Sequence, residues 1–419
     1  MSIELSALTE AGARMIALAE QHATEFASRA EKYDAENTFV RENFDDMRAS
    51  GFLAGTAPAS AGGLGVESLH DMTVAVSRIA RGCSATAIAA NMHLGFVFDI
   101  SRTLRRSHAD EPFANQLKLL VKMLGRSRLV MSHCGTEPGG AFSVPSTTAT
   151  PTEGGYLVNG HKIFATNSSI ADAFTVFVRV PDGNGWFLMG SAVIRRNTPG
   201  VQVMDNWDAI GMRGSGSGDV IFTDAFVPAD MMQIGTRIGD PNAQMWPGLL
   251  AVNFPLSAAY LGIAEAAHAM AVTHATTKRK KPYPQLLSER PAIQHQIAEM
   301  EIALATMRAA LGRTCVAIDR FLELPDEEVT MAKVHEVVKD YQCTKLIVNR
   351  AALDIVDRAM TVVGGSSYMT GHPLGRLYRD VRAGGFMQPY APPEGLEFIG
   401  KVAVSQDPFA ELRSIIPAA

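Results

Sequence analysis

Between Gly211 and Pro228 the chain reads GMRGSGSGDVIFTDAFVP, and in it Arg213, Ser215 and Ser217 alternate with Gly214, Gly216 and Gly218. That alternation sets a cation and two hydroxyls on one side of a backbone that a ligand can approach closely. Such a surface suits an anionic or carbonyl-rich cofactor. A second candidate is Asn91-Met92-His93 in an alanine-rich stretch, where His93 either touches a substrate or sits as a hydrogen-bonded helix histidine. Cys83, Cys134, Cys315 and Cys343 lie far apart and match no ligand spacing, so no metal site is expected.

The elements that must position these residues change texture twice. Apolar spacing predicts helices over 4–32, 38–50, 68–81 and 84–106. From Arg128 to about 235, β-branched residues and short alternating runs predict a small antiparallel barrel or sandwich. Helical spacing returns over 247–276, 286–323 and 328–363, then around RLYRDVRAG and from Glu394 onward. The fold class expected is α+β with three parts: an N-terminal helical domain over 1–127, a middle β-domain over 128–238 and a C-terminal four-helix bundle over 239–419.

The 419 residues are enough for such a division, and the net charge of -5 offers no basic footprint for nucleic acid. The opening MSIELSALTE lacks the apolar core of a secretory signal, and no run approaches the roughly 20 apolar residues of a membrane span. With unpaired cysteines, the expectation is a cytoplasmic enzyme without nucleic-acid or membrane partners.

Five segments, in order, resemble the acyl-CoA dehydrogenase superfamily. They are AGGLG at 61–65, CGTEPGG at 134–140, YLVNGHKIFATN at 156–167, the 211–228 stretch, and VVGGSSYMTGHPLGRLYRD at 362–380. The resemblance implies FAD held between helices and β-domain, usually in a homotetramer, with a homodimer as the smaller form. It implies that Thr136 and Thr166 hydrogen-bond the isoalloxazine and that Phe164 covers it. Cys134 and Ser143 belong to the flavin loop; Arg279, Lys280 and Tyr283, with Gly364 and Gly365, would meet the FAD of a neighbouring subunit. Arg213, Ser215, Asn253, Tyr378, Arg379 and Asp380 fall on the substrate side.

The same resemblance exposes departures. Dehydrogenation of a thioester needs a carboxylate to take the α-proton while hydride leaves for flavin N5. Where the family's base glutamate follows the RD pair, this chain has Gln388, and an amide cannot abstract a proton. The alternative position of the base holds Val252 and Asn253. Glu394-Gly395 with Ile399 resembles the family's EGxxxI ending displaced along the chain, but Glu394 follows Pro392-Pro393 and falls in a first helical turn, where the helix dipole favours the less basic, ionised form. After TEPGG the chain has AFSV, so Ser143 stands in for the usual serine.

The main expectation is therefore an FAD enzyme that dehydrogenates an acyl-CoA with Glu394 as base, passing electrons to a partner. The alternative is a flavin-dependent oxygenase of the same fold, fed by a flavin reductase and acting on a CoA ester or small aromatic. In that reading His93 or His133 donates the hydrogen bond that oxygen chemistry needs. His133 stands where the family often has a tyrosine, just before the flavin loop.

Overall fold

Thr9 opens the first helix: its hydroxyl accepts the Gly12 N–H at 2.9 Å and donates to buried Asp71 at 2.7 Å. Asp71 also takes the Leu8 and Thr9 N–H groups, which holds those residues extended, so α1 (Glu10–Glu36) starts later than its apolar spacing predicts. The computed structural model describes residues 4–107, 112–141, 143–387 and 389–411; Gln388 lies outside the described residues. α2 (Arg41–Ala49), α3 (Leu69–Gly82) and α4 (Ser84–Arg106) follow the sequence pattern. A further helix, α5 (Pro112–Gly125), was not expected; it buries Leu117, Val121 and Leu124.

β1 (Met131–Cys134), β2 (Thr148–Thr152), β3 (Gly155–Lys162), β4 (Ala173–Pro181), β5 (Phe187–Arg195), β6 (Val201–Val203), β7 (Val220–Pro228) and β8 (Met232–Arg237) form one sheet. Its order is β6-β7-β3-β2-β4-β5-β8, with β1 on β4. The sheet is mixed, not purely antiparallel: from β3 the chain crosses β2 to reach β4, so β4 runs parallel to β1 and to β2. Phe174, Val176, Val178, Val158 and Phe222 make its own apolar core.

The last part holds α6 (Trp246–Asn253), α7 (Leu256–Thr277), α8 (Pro291–Leu322), α9 (Met331–Val363), α10 (Pro373–Val381) and α11 (Pro392–Ala403). The helix expected over 247–276 is broken at Phe254-Pro255, since proline cannot continue the ladder. α7, α8 and α9 pack together, and α10 and α11 lie on α9. α3 packs on α7 and α8, so the N- and C-terminal helices share one hydrophobic core. The stretch Ala243–Thr277 has the length and hydropathy of a membrane span, a property the sequence pattern was not expected to hold, and its most apolar window of 18 residues is buried inside the protein.

Candidate functional site

Two loops face each other where the sheet meets the helices. One follows β3 and holds Phe164–Ser168; the other precedes β7 and holds Met212–Gly218. Main-chain bonds join them, from Ala165 N to Gly218 O (3.1 Å) and from Asn167 N to Ser215 O (3.3 Å). Gly216 has φ +55°, and a Cβ there would lie 2.5 Å from Ser169 Oγ, so the turn requires glycine. Across the seam Thr166 Oγ1 lies 2.9 Å from Ser217 Oγ, which lies 2.7 Å from Ser215 Oγ. Three hydroxyls joined by two hydrogen bonds leave one proton to donate outward.

Beside this hydroxyl chain Phe164 holds φ +53°, and its ring is 59% exposed, edge-on to Trp207 at 6.0 Å. A bulky residue in the left-handed region costs on the order of 1–3 kcal/mol, and here the strain presents an uncovered aromatic face. The preceding flavin-loop segment is locked by Glu137, which accepts from Lys162 Nζ (2.6 Å), from the Thr147 N–H (2.9 Å) and hydroxyl (2.5 Å), and from the Ser146 N–H (2.5 Å) and hydroxyl (2.6 Å). Burial opposes ionisation of Glu137, but these donors outweigh it and hold the carboxyl at about 2. Burial pulls the Lys162 ammonium below its ordinary value, with Glu137 opposing the shift.

These residues open on a cavity of about 330 Å³ between α4, the sheet, α6 and the turn after α10. The structure brings His133, Thr136, Phe164, Thr166, Ser215, Asn253 and Arg379 to its wall. Trp207, Ser217, Phe177, Arg382 and Met387 also line it. His133 Nδ1 lies 2.8 Å from Thr175 Oγ1, and its ring meets Phe177 edge-on at 5.0 Å. Burial, then the Lys162 charge, lowers His133 to about 4, so the ring is neutral. Among the described lining residues there is no aspartate or glutamate.

Several expected residues are elsewhere, each for a visible reason. His93 is fully buried; Nε2 lies 3.1 Å from Leu53 O and Nδ1 accepts the Met131 N–H at 3.2 Å, so it fastens the core and faces no substrate. The Cys134 side chain is buried in the sheet core, which pushes its thiol up to about 12. Arg213 donates to Asp34 O, Ala209 O and Asp208, away from the cavity. Asp380 accepts from Ser84 Oγ and from the Met212 N–H at 2.6 Å, and is a structural carboxylate. Tyr378 is exposed on α10 without lining the cavity.

Glu394 is exposed, and Oε2 accepts the Ala391 N–H at 2.9 Å; it caps α11 and does not reach the cavity. Ser143 lines a separate cavity with Arg237, Trp246 and His335. Arg279 donates to Pro284 O, Arg290 sits over the exposed Tyr283 ring, and Lys280, Gly364 and Gly365 are exposed; the resemblance assigns these residues to the flavin of a neighbouring subunit, and they stand at the surface of the chain. Gln388 lies outside the described residues.

The sequence reading missed Trp207, Arg382 and the Glu137–Lys162 pair. The pair was within reach of sequence, because both residues sit inside the TEP and NGxK segments. The aromatic shelf and hydroxyl chain fit a tricyclic isoalloxazine, with donors at its edge and Phe164 against its face.

Comparison with known proteins agrees with this geometry. Family models match three consecutive parts of the chain: Acyl-CoA dehydrogenase, N-terminal domain (residues 14–103), middle domain (132–225) and C-terminal domain (255–388). The chain is 31% identical over 398 residues to amino sugar nitrososynthase DnmZ of Streptomyces peucetius, covering 95% of each. It is 32% identical over 400 residues to amino sugar nitrososynthase RubN8 of Streptomyces rubradiris, covering 95% of this chain and 91% of that one. The solved structure of KijD3 in complex with FMN and dTDP-3-amino-2,3,6-trideoxy-4-keto-3-methyl-D-glucose superposes with a TM-score of 0.89 at 31% identity, covering 98% and 97% of the two chains. The chain belongs to the acyl-CoA dehydrogenase superfamily, as a flavin-dependent oxidoreductase.

Proposed function

We propose that the chain is a flavin-dependent oxygenase that transfers oxygen to the nitrogen of a small amine, with a nucleotide-linked amino sugar as the first candidate substrate. One observation carries the reading: a cavity lined by hydroxyls, aromatics, two arginines and a neutral histidine, with no carboxylate among its described lining residues. α,β-Dehydrogenation of a thioester has no base there. Oxidation of an amine needs the opposite environment. Arg379 is paired with Asp34, so the cation left at the wall is Arg382; with no carboxylate among the described lining residues, that wall disfavours the ammonium and keeps the nitrogen lone pair free to attack. Similarity to the nitrososynthases and to KijD3 supports the amino-sugar class.

Reduced flavin, when bound, supplies the two electrons with which one atom of O2 goes to nitrogen and the other leaves as water. The chain's residues supply position and protons. Phe164 would lie against a ring face, with Trp207 edge-on beside it to exclude water. The Thr166–Ser217–Ser215 chain would donate its remaining proton to the ring edge. In the tautomer in which the Thr175 hydroxyl donates to Nδ1, neutral His133 would offer its Nε2–H as donor to the reacting oxygen.

Flavin identity follows the same logic. Ser143, the expected pyrophosphate contact, lies on a different cavity and does not decide the matter; likeness to KijD3, solved with FMN, favours FMN over FAD. A reductase would deliver the reduced flavin in the cytoplasm, and the exposed Tyr283 and Gly364-Gly365 corner is where a second copy would rest in a tetramer or dimer. The test is oxygen incorporation into an amino-sugar nucleotide with reduced FMN.

A further inference from the structure

Gly211 packs its backbone onto the end of α10: a Cβ there would lie 2.4 Å from Arg379 O, so glycine is what lets the loop before β7 come this close. Two side chains of α10 then take hold of the loop. Arg379 Nη1 donates to Ile210 O at 2.9 Å, and Asp380 Oδ1 accepts the Met212 N–H at 2.6 Å. Asp380 is 2% exposed. Its other oxygen accepts from Ser84 Oγ at the start of α4 and lies 3.5 Å from Arg376 Nη1. One buried carboxylate therefore joins α4, α10 and the loop.

Met212 is the residue through which that anchor reaches the cavity. Its φ of +53° lies in the left-handed region, unusual for a side chain of this size, and persists only because its surroundings hold it. Asp380 holds its N–H. Its carbonyl accepts the Ser215 N–H at 2.9 Å, closing the single turn Arg213–Ser215, and the Trp207 Nε1–H at 3.2 Å. Ser215 Oγ is the first link of the chain that runs through Ser217 to Thr166.

We propose that Asp380 is a positioning residue for the flavin: by holding the Met212 N–H it sets the place of the Ser215 hydroxyl, and with it the chain that would meet the ring edge. Without that acceptor the Met212 N–H would be left buried and unpaired, and the turn would relax and carry Ser215 off Ser217. A hydroxyl chain out of register offers the flavin no aligned donor. The role needs an acceptor and not a charge, since an asparagine Oδ1 accepts the same N–H. It rests on the reading of this cavity as a flavin site, whatever reaction the flavin carries out.

A double-mutant cycle on FMN affinity, read by flavin fluorescence in the full chain, tests this. Asp380→Ala should weaken FMN about tenfold, the worth of one hydrogen bond, and Asp380→Asn should stay within about threefold of the wild type. Ser217→Ala cuts the chain between Ser215 and Thr166. In that background Asp380→Ala should cost at most about threefold more, the part that Trp207 carries. A residue that served only the fold would cost the same in both backgrounds. Gly211→Ala moves the loop off α10 without touching the carboxylate and should repeat the pattern, so an Asp380→Ala chain that fails to fold leaves the test standing. Equal losses in the two backgrounds overturn the proposal, as does an Asp380→Ala or Gly211→Ala chain that binds FMN like the wild type. FMN binding by the wild type checks the flavin reading itself, so those outcomes strike Asp380 alone.

Discussion

Glu394 Oε2 accepts the main-chain N–H of Ala391 at 2.9 Å, and with that bond the carboxylate closes the first turn of its own helix. A group so engaged on the outer surface cannot serve as a base in the cavity. Glu394→Gln should change turnover by less than about twofold, under 0.5 kcal/mol in barrier. It should cost about 1 kcal/mol of stability as a weakened cap. Denaturant midpoints and steady-state rates check both; a loss of turnover by orders of magnitude would restore Glu394 to the chemistry.

Thr166→Val should cut the hydroxyl chain at its flavin end and weaken flavin binding roughly tenfold, the worth of one hydrogen bond. Phe164→Ala should weaken it by up to about tenfold through lost stacking. Because the Phe164 ring is largely exposed, the thermal midpoint of the flavin-free chain should hardly move. Titration of flavin fluorescence separates the outcomes, and unchanged affinity in both variants would place the ring elsewhere.

Lys162→Met should strand Glu137 in the interior and cost about 3–5 kcal/mol. Glu137 is held at about 2, below its unfolded value. Its contribution is therefore full above pH 4.3 or so and fades as pH falls toward 2. Denaturant midpoints of the wild type should drop over that acid range, and those of Lys162→Met should drop less. Parallel curves would mean the pair has no such role.

His133→Ala should raise the share of oxygen released as peroxide, since the donor to the reacting oxygen is gone. His133 is lowered to about 4 by burial and by Lys162. The ring therefore stays neutral as pH falls below its ordinary 6.5, and the coupling ratio of the wild type should be flat from pH 5.5 to 8. A ratio that changes near 6.5 would show an ordinary, solvated histidine instead.

Much of this site was legible in the chain itself. Thr136, Phe164, Thr166, Ser215 and His133 stand out in local motifs, and all five line one cavity. The α–β–α order followed from the change in periodicity. What sequence could not display was pairing over distance. Arg379 is held by Asp34, 345 residues away, and Asp380 by Ser84, 296 away. Those pairings decide which charges face the cavity and which hold the walls. α5 and the break at Pro255 were visible as patterns, in Leu117, Val121 and Leu124 and in the proline itself.

The central claim is that oxygen, not a thioester, is what the flavin meets. Incubate the protein with FMN, reduced pyridine nucleotide, a flavin reductase, an amino-sugar nucleotide and ¹⁸O2, and read the nucleotide product by mass spectrometry. The account predicts ¹⁸O on the sugar nitrogen, and no bleaching of oxidised flavin by any acyl-CoA under anaerobic conditions. Label found only in peroxide or water, together with anaerobic bleaching by an acyl-CoA, would contradict it.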